Sequence, residues 1–221
     1  VRLSRKHARI ALCIVLVLVL LPLLALANPL PSPLPQAGEG VKVPRDAVRH
    51  QRDLTRHARA VWGMDAPVAM FGAQIHQESR WRVNAQSVVG AQGIAQFMPQ
   101  TATWISGAYK LGEPQPYNTG WALRALVTYD RHLWQQIDAA TPCDRAAMTL
   151  SAYNGGLGWV YRDQTLAARN GHDRTRWFGS VELFNAGRSK ANFAENRDYP
   201  RVILTKWQPT YASWGGAIAC C

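Results

Sequence analysis

Residues 65–82 read DAPVAMFGAQIHQESRWR. Asp65-Ala66-Pro67 is a helix-start signal, because proline's fixed φ and missing N–H suit the first turn. Val68, Phe71 and Ile75 follow at three- and four-residue spacing and so share one apolar face. Glu78 is the next position on that face, where a hydrophobic side chain would ordinarily sit. A carboxyl group in apolar surroundings is disfavoured as the anion, so its pKa rises. That is what a general acid needs if it is to hold a proton near neutral pH. The plainer alternative is a helix-terminal glutamate that swings to solvent or pairs with Arg80 or Arg82. Spacing alone does not decide between them.

The pattern on either side is also helical. Asp46 is placed to cap a helix running to about Trp62. Trp121 to Ile137 carries Leu126, Tyr129, Leu133 and Ile137 on one stripe. Ala146 to Tyr153 reads as a short helix stopped by Gly155-Gly156, and Leu157 to Arg169 as another stopped by Asn170-Gly171. A last helix is expected over Ala194 to Lys206, with Pro200 tolerated only in its first turn or at a kink. Strand signals are weak; Gly90 to Phe97 is too glycine-rich for a helix and suits a loop or a short strand pair. The expected class is mainly α with little or no β structure.

Residues 1–27 stand apart from this domain. Arg2, Arg5, Lys6 and Arg9 precede an uncharged run from Ile10 to Ala27, which ends Ala25-Leu26-Ala27 before Asn28. This describes either a cleaved secretory signal peptide or, at the short end of the length needed, an N-terminal membrane anchor. Both imply export. Residues 28–45 hold five prolines and two glycines and read as an extended tether. The folded domain is expected over 46–221.

Net charge is +11, and residues 1–27 carry four of the 25 basic residues and none of the 14 acidic ones, leaving +7 for the remainder. Such a chain is expected near anionic polymers or lipid headgroups. No nucleic-acid-binding signature is present, so nucleic acid is not an expected partner. No cysteine and histidine set has zinc-ligand spacing, and neither metal nor cofactor is expected; His76, His132 and His172 read as ordinary core-edge or surface residues. Beyond residue 27 there are Cys143, Cys220 and Cys221. Either Cys143 pairs with one of the terminal cysteines, or it is buried as a thiol and the tail is frayed.

Three further segments carry a resemblance. His76-Gln77-Glu78-Ser79-Arg80, then Ser87-Val88-Val89-Gly90-Ala91-Gln92-Gly93-Ile94-Ala95-Gln96-Phe97-Met98-Pro99 with Thr101-Ala102, then Ala152-Tyr153-Asn154-Gly155-Gly156 occur in that order. They resemble the motifs of lytic transglycosylases with a soluble-transglycosylase-type, goose-lysozyme-like fold. Glu195-Asn196-Arg197-Asp198-Tyr199 is a weaker fourth match. Together these span about residues 65 to 207, and the resemblance makes Glu78 the expected catalytic residue.

The resemblance implies cleavage of peptidoglycan glycan strands with one carboxyl group. Glu78 would protonate the glycosidic oxygen, the substrate's N-acetyl group would stabilise the developing charge, and ionised Glu78 would then take the C6 hydroxyl proton as a 1,6-anhydro ring closes. It further implies that Ser79 orients the glutamate or the acetamido group. Gln96, Met98, Tyr153 and Asn154 would line sugar subsites, and the Tyr199 hydroxyl would fix Glu78. For Tyr153 and Tyr199 plain core packing is the alternative. Gly90 and Gly93 are expected to let backbone pass close to the glycan, and Trp81 is the tryptophan nearest the motif that could stack on sugar. Ala95 stands where the family often has methionine. A hydrolytic muramidase on the same fold would need a second carboxylate, with Asp130 and Asp198 as candidates; a non-catalytic peptidoglycan-binding protein is the other alternative. Periplasmic or cell-envelope location, membrane association through residues 10–27, and work beside secretion, conjugation or lysis machinery are the settings these readings leave open.

Overall fold

A computed structural model describes residues 42–220. The expected signal or anchor segment, most of the proline-rich tether and Cys221 lie outside them. No described helix is long and apolar enough to cross a membrane.

The described residues fold into seven α-helices: α1 Arg45–Trp62, α2 Val68–Ser79, α3 Pro99–Tyr109, α4 Thr119–Gln136, α5 Pro142–Gly155, α6 Leu157–Arg169 and α7 Lys190–Arg201. A π-helical turn, Val202–Trp207, and a 3-10 helix, Gln208–Trp214, continue from α7. There is no sheet among the described residues. The glycine-rich segment between α2 and α3 makes only isolated bridges, Gln86 with Gln92 and Gln92 with Phe97.

Side-chain caps explain where three of the helices begin. Asn118 accepts the Trp121 N–H to open α4 at 3.0 Å. Thr141 accepts the Asp144 N–H, with Pro142 in the first turn of α5. Ser189 likewise caps α7 through Asn192. α2 has no side-chain cap; its Ala69 N–H reaches the Gly215 carbonyl at the far end of the chain instead. Pro67 therefore precedes α2 rather than lying in its first turn.

Helix α2 is the axis of the core. Ten of its twelve residues are buried, polar Gln74, His76 and Ser79 among them. It packs against the C-terminal π and 3-10 turns and against α1, while α1 lies on α4 and α5 on α4, α6 and α7. The apolar stripe of Val68, Phe71 and Ile75 is thus only part of a helix buried nearly all round, which is the pattern of a central element.

Three elements differ from the sequence expectation, and two open readings are decided. α3 was not anticipated, because Pro99–Tyr109 has little apolar periodicity and only Ala102, Ile105 and Ser106 are buried. α5 starts at Pro142 rather than Ala146 because of its Thr141 cap. α7 starts at Lys190 rather than Ala194. Pro200 sits inside α7's final turn, where its missing N–H and ring bulk widen the ladder into the π turn, as a kink. Finally, Cys143 at the start of α5 is disulfide-bonded to Cys220, with Cα atoms 5.2 Å apart.

Candidate active site

Helix α2 ends directly after Glu78. Arg80 and Trp81 both take left-handed backbone (φ 53° and 67°), so the chain turns sharply away at Ser79. Gln96, at φ 50°, is a third non-glycine residue in this region, and the clustering of such conformations is characteristic of functional sites.

The Glu78 carboxyl is crowded by protein, although the residue as a whole keeps some solvent contact. Tyr199, buried in α7, donates its hydroxyl to Glu78 Oε1. Desolvation dominates the electrostatics and pushes the Glu78 pKa up to about 8. The Tyr199 hydrogen bond opposes this and the neighbouring Glu195 charge adds to it. Below this value the carboxyl holds its proton. Tyr199 and Tyr153 are both raised well above the ordinary phenol range, chiefly by burial and then by Glu78, so both stay neutral donors.

Asp130 lies beneath the site, fully buried in α4, with the Gln74 amide 3.4 Å from Oδ1. Burial raises its pKa well above the carboxylate range, and Glu78 raises it further. Asp198, the other carboxylate weighed from sequence, is exposed. Glu195 was quoted only as part of a motif. It is exposed, accepts the Asn154 side-chain N–H at 3.3 Å, and is the carboxylate outside the core whose charge Glu78 feels.

The residues expected to line sugar subsites fall into two groups. Ser79 is buried and donates to the Ile94 carbonyl at 2.7 Å, so its proton straps the 85–97 loop to α2. Tyr153 reaches the same loop, donating to the Ala95 carbonyl at 2.7 Å. The amide of Gln96 closes the loop internally onto Ala85 and Gly93 carbonyls at 3.2 and 2.8 Å. Met98, by contrast, is 42% exposed, and Asn154 is half-buried.

Two expectations are corrected by packing. A Cβ on Gly93 would lie 1.8 Å from the Pro116 carbonyl oxygen, so its missing side chain admits protein backbone; Gly90 has open space around it at φ +89°. Trp81 is 1% exposed and donates to the Tyr211 hydroxyl at 2.7 Å, so it is core and offers no face to a sugar.

Sequence reasoning also missed the support for Asn154. Buried Asn196 donates to Asn154 Oδ1 at 2.9 Å, exchanges two hydrogen bonds with Ser151, and accepts from Arg197. Arg197 and Arg188 converge on the buried carboxylate of Asp163. A run of polar residues on a helix with a weak apolar stripe carries no signal for such a buried network.

A family model for the transglycosylase SLT domain matches residues 58–176, just over half of the chain. The chain belongs to the transglycosylase SLT domain family. Membrane-bound lytic murein transglycosylase F of Maricaulis maris is 31% identical over 115 residues, which cover 52% of this chain and 24% of that protein. The protein of the same name from Desulfosudis oleivorans is 30% identical over 126 residues, covering 57% and 27%. The chain thus spans about a quarter of the length of these relatives. In fold it is similar to the 70 kDa soluble lytic transglycosylase of Escherichia coli, with TM-score 0.54 and 21% identity over 75% of this chain and 24% of that one. The complex of the 70 kDa soluble lytic transglycosylase with bulgecin A gives TM-score 0.56 at 20% identity, covering 80% and 26%. The SLT match contains Glu78, the 85–97 loop and Tyr153, and stops short of Tyr199, Glu195 and Asn196.

Proposed function

We propose that this chain is an exported peptidoglycan lytic transglycosylase that cleaves the β-1,4 bond between N-acetylmuramic acid and N-acetylglucosamine. The carrying observation is a single carboxyl, Glu78, held by Tyr199 and kept protonated up to about pH 8. As general acid it would deliver that proton to the glycosidic oxygen as the C1–O4 bond breaks. The substrate's acetamido oxygen would bond to C1 in place of the leaving sugar. Glu78, now ionised, would take the proton from the C6 hydroxyl while O6 displaces the acetamido oxygen and closes a 1,6-anhydro ring. Atoms balance without water, and Glu78 ends protonated again.

Asp130 is unsuited to be the second carboxylate of a hydrolase, because a fully buried carboxyl group has no solvent face from which to activate water and burial disfavours its anion. The hydrolytic muramidase reading now rests on Glu195, the exposed carboxylate beside Asn154. Envelope location, membrane association through residues 10–27 and partnership with secretion, conjugation or lysis machinery belong to the same proposal; the curated relatives are described as membrane-bound.

The test is mass analysis of products released from isolated sacculi by the wild type, Glu78→Gln and Glu195→Gln. The proposal expects anhydro-muropeptides from the wild type and from Glu195→Gln, and none from Glu78→Gln. Reducing-end products, heavier by one water and lost with Glu195→Gln, would make the chain a muramidase. Binding to sacculi without products would make it a non-catalytic binder.

A further inference from the structure

Ten buried side-chain polar atoms among the described residues have no hydrogen-bond partner, and three of them belong to the walls of one cavity. They are His57 Nε2, Trp121 Nε1 and Arg124 Nε. The cavity, of about 360 Å³, lies where α1 packs on the start of α4 and is also lined by Arg56, Gln115 and Gly120. No acidic side chain lines it. Buried donors left unpaired are costly, so a cluster of them marks a place suited to an acceptor.

The donors are held in place. Trp121 is 6% exposed, and Phe97 meets its ring edge-on with centroids 5.5 Å apart, which fixes the direction of the indole N–H. The Arg124 guanidinium donates to the Leu111 carbonyl through Nη2 and has no carboxylate partner among the described residues. Arg56 meets Asp53 at 3.1 Å in an exposed pair of the kind that contributes little. Gly120 stands in the first turn of α4, an 18-residue helix whose opening N–H groups lack intrahelical partners. The Asn118 cap takes the Trp121 N–H, and the helix dipole adds positive potential at this end.

Positive charge is crowded here. Burial and then the Arg56 charge lower the His57 pKa; Asp53 opposes them and Arg124 adds to them. An anion beside both guanidinium groups would relieve that crowding. Positive charge also continues outside the cavity. Arg45, Arg49, Arg52, Arg56 and Arg59 recur at four- and three-residue intervals, all exposed, on the face of α1 opposite buried Ala47, Leu54 and Ala58. Arg56 is the member of this stripe that lines the cavity.

We infer that this cavity is a phosphate-binding site, in which Arg56, His57, Trp121, Arg124 and the first-turn N–H groups of α4 donate to one phosphate group. Its donors come from two helices and a helix end, so they approach from different directions. A phosphate presents oxygens in a tetrahedral array that such donors can share, whereas a carboxylate presents two in one plane. The phosphate is either the free ion or part of a phospholipid headgroup. The arginine stripe running on from the cavity favours the headgroup, because a surface of many phosphates can meet all of it at once. The site shares no residue with the candidate active site and does not depend on the glycan-cleaving reading.

The experiment measures, by calorimetry, binding of the full chain to inorganic phosphate and to glycerophosphoglycerol, a soluble phospholipid headgroup, with acetate as the carboxylate probe. A phosphate site predicts saturable binding of at least one phosphate probe. Arg56→Gln should weaken it about tenfold, and so should Trp121→Phe, which removes the N–H and keeps a ring against Phe97. Arg59→Gln removes the same charge one turn further along α1, outside the cavity, and should leave binding unchanged. Whichever phosphate probe binds more tightly names the source. Binding of neither, acetate bound as tightly as phosphate, or an equal loss with Arg59→Gln would overturn the inference. Arg56 is exposed, so its variant decides the matter even where Trp121→Phe does not fold.

Discussion

At the scale of the residue, Glu78 is held in a state its own chemistry disfavours. In the unfolded chain its carboxyl would ionise near 4.5, whereas in the fold it ionises at about 8. Below about pH 4.5 it is protonated in both states and burial costs nothing through ionisation. As the pH rises above 4.5 the unfolded chain gains by releasing the proton while the folded one keeps it, so stability falls until the folded carboxyl also ionises near 8. Glutamine has no such proton. The difference in melting temperature between Glu78→Gln and the wild type should therefore widen from pH 5 to pH 8 and then level off, with the variant more stable. A constant difference across that range would mean that Glu78 is ionised in the fold. In the proposed mechanism the acid form starts the reaction, so kcat/KM should also fall as the pH passes through about 8.

At the scale of the element, the 85–97 loop matters most, because it has almost no secondary structure and depends on its anchors. Ser79 and Tyr153 hold it from two helices, Gln96 closes it on itself, and Gly93 seats it against Pro116. Gly93→Ala would place Cβ 1.8 Å from the Pro116 carbonyl oxygen at a φ of +74°, so backbone must move. It should cost roughly 2–4 kcal/mol in urea unfolding and depress activity by shifting the loop. Gly90→Ala, at φ +89° with nothing within 4 Å, provides the comparison and should cost about 1 kcal/mol. Similar costs at the two positions would mean that contact with Pro116 is not what Gly93 serves.

The helices themselves were largely legible, and for a clear reason. α4 carries a regular apolar stripe and α6 ends at the ordinary Asn170-Gly171 stop signal, so at those points local pattern and tertiary demand agree. α3 was missed because few of its residues face the core, and the start of α5 because a Thr-Pro cap is a subtler signal than hydrophobic spacing. Pro200 was recognised as an irregularity; that it would widen α7 into a π turn depends on the packing of Ile203, Leu204 and Tyr211 beyond it.

At the scale of the whole molecule, the C-terminal end of the domain is tied to its centre. The Gly215 carbonyl completes the start of α2, Gln208 exchanges two hydrogen bonds with Ile218, and the Cys143–Cys220 disulfide closes a 77-residue separation from α5 to the tail. Removing the bridge with Cys143→Ser and Cys220→Ser should lower stability by about 2–5 kcal/mol in denaturant. Activity should survive under native conditions, since Cys143 opens α5 about 15 Å from its Tyr153 end by helix rise. Unchanged stability would show that the tail is held by its hydrogen bonds alone.

The sequence by itself determined the helical class, the length and order of most helices, and the family to which the motifs belong, because these rest on local spacing and short segments. It also put Glu78 at the end of an apolar helix. Only the tertiary structure decided that the carboxyl meets Tyr199 from a helix 121 residues away, that Asp130 is fully buried, and that Ser79 serves the loop. It also decided that Trp104 and not Trp81 faces solvent. Burial and long-range hydrogen bonds are properties of which surfaces meet, and that depends on the packing of distant elements rather than on the spacing of residues within any one of them.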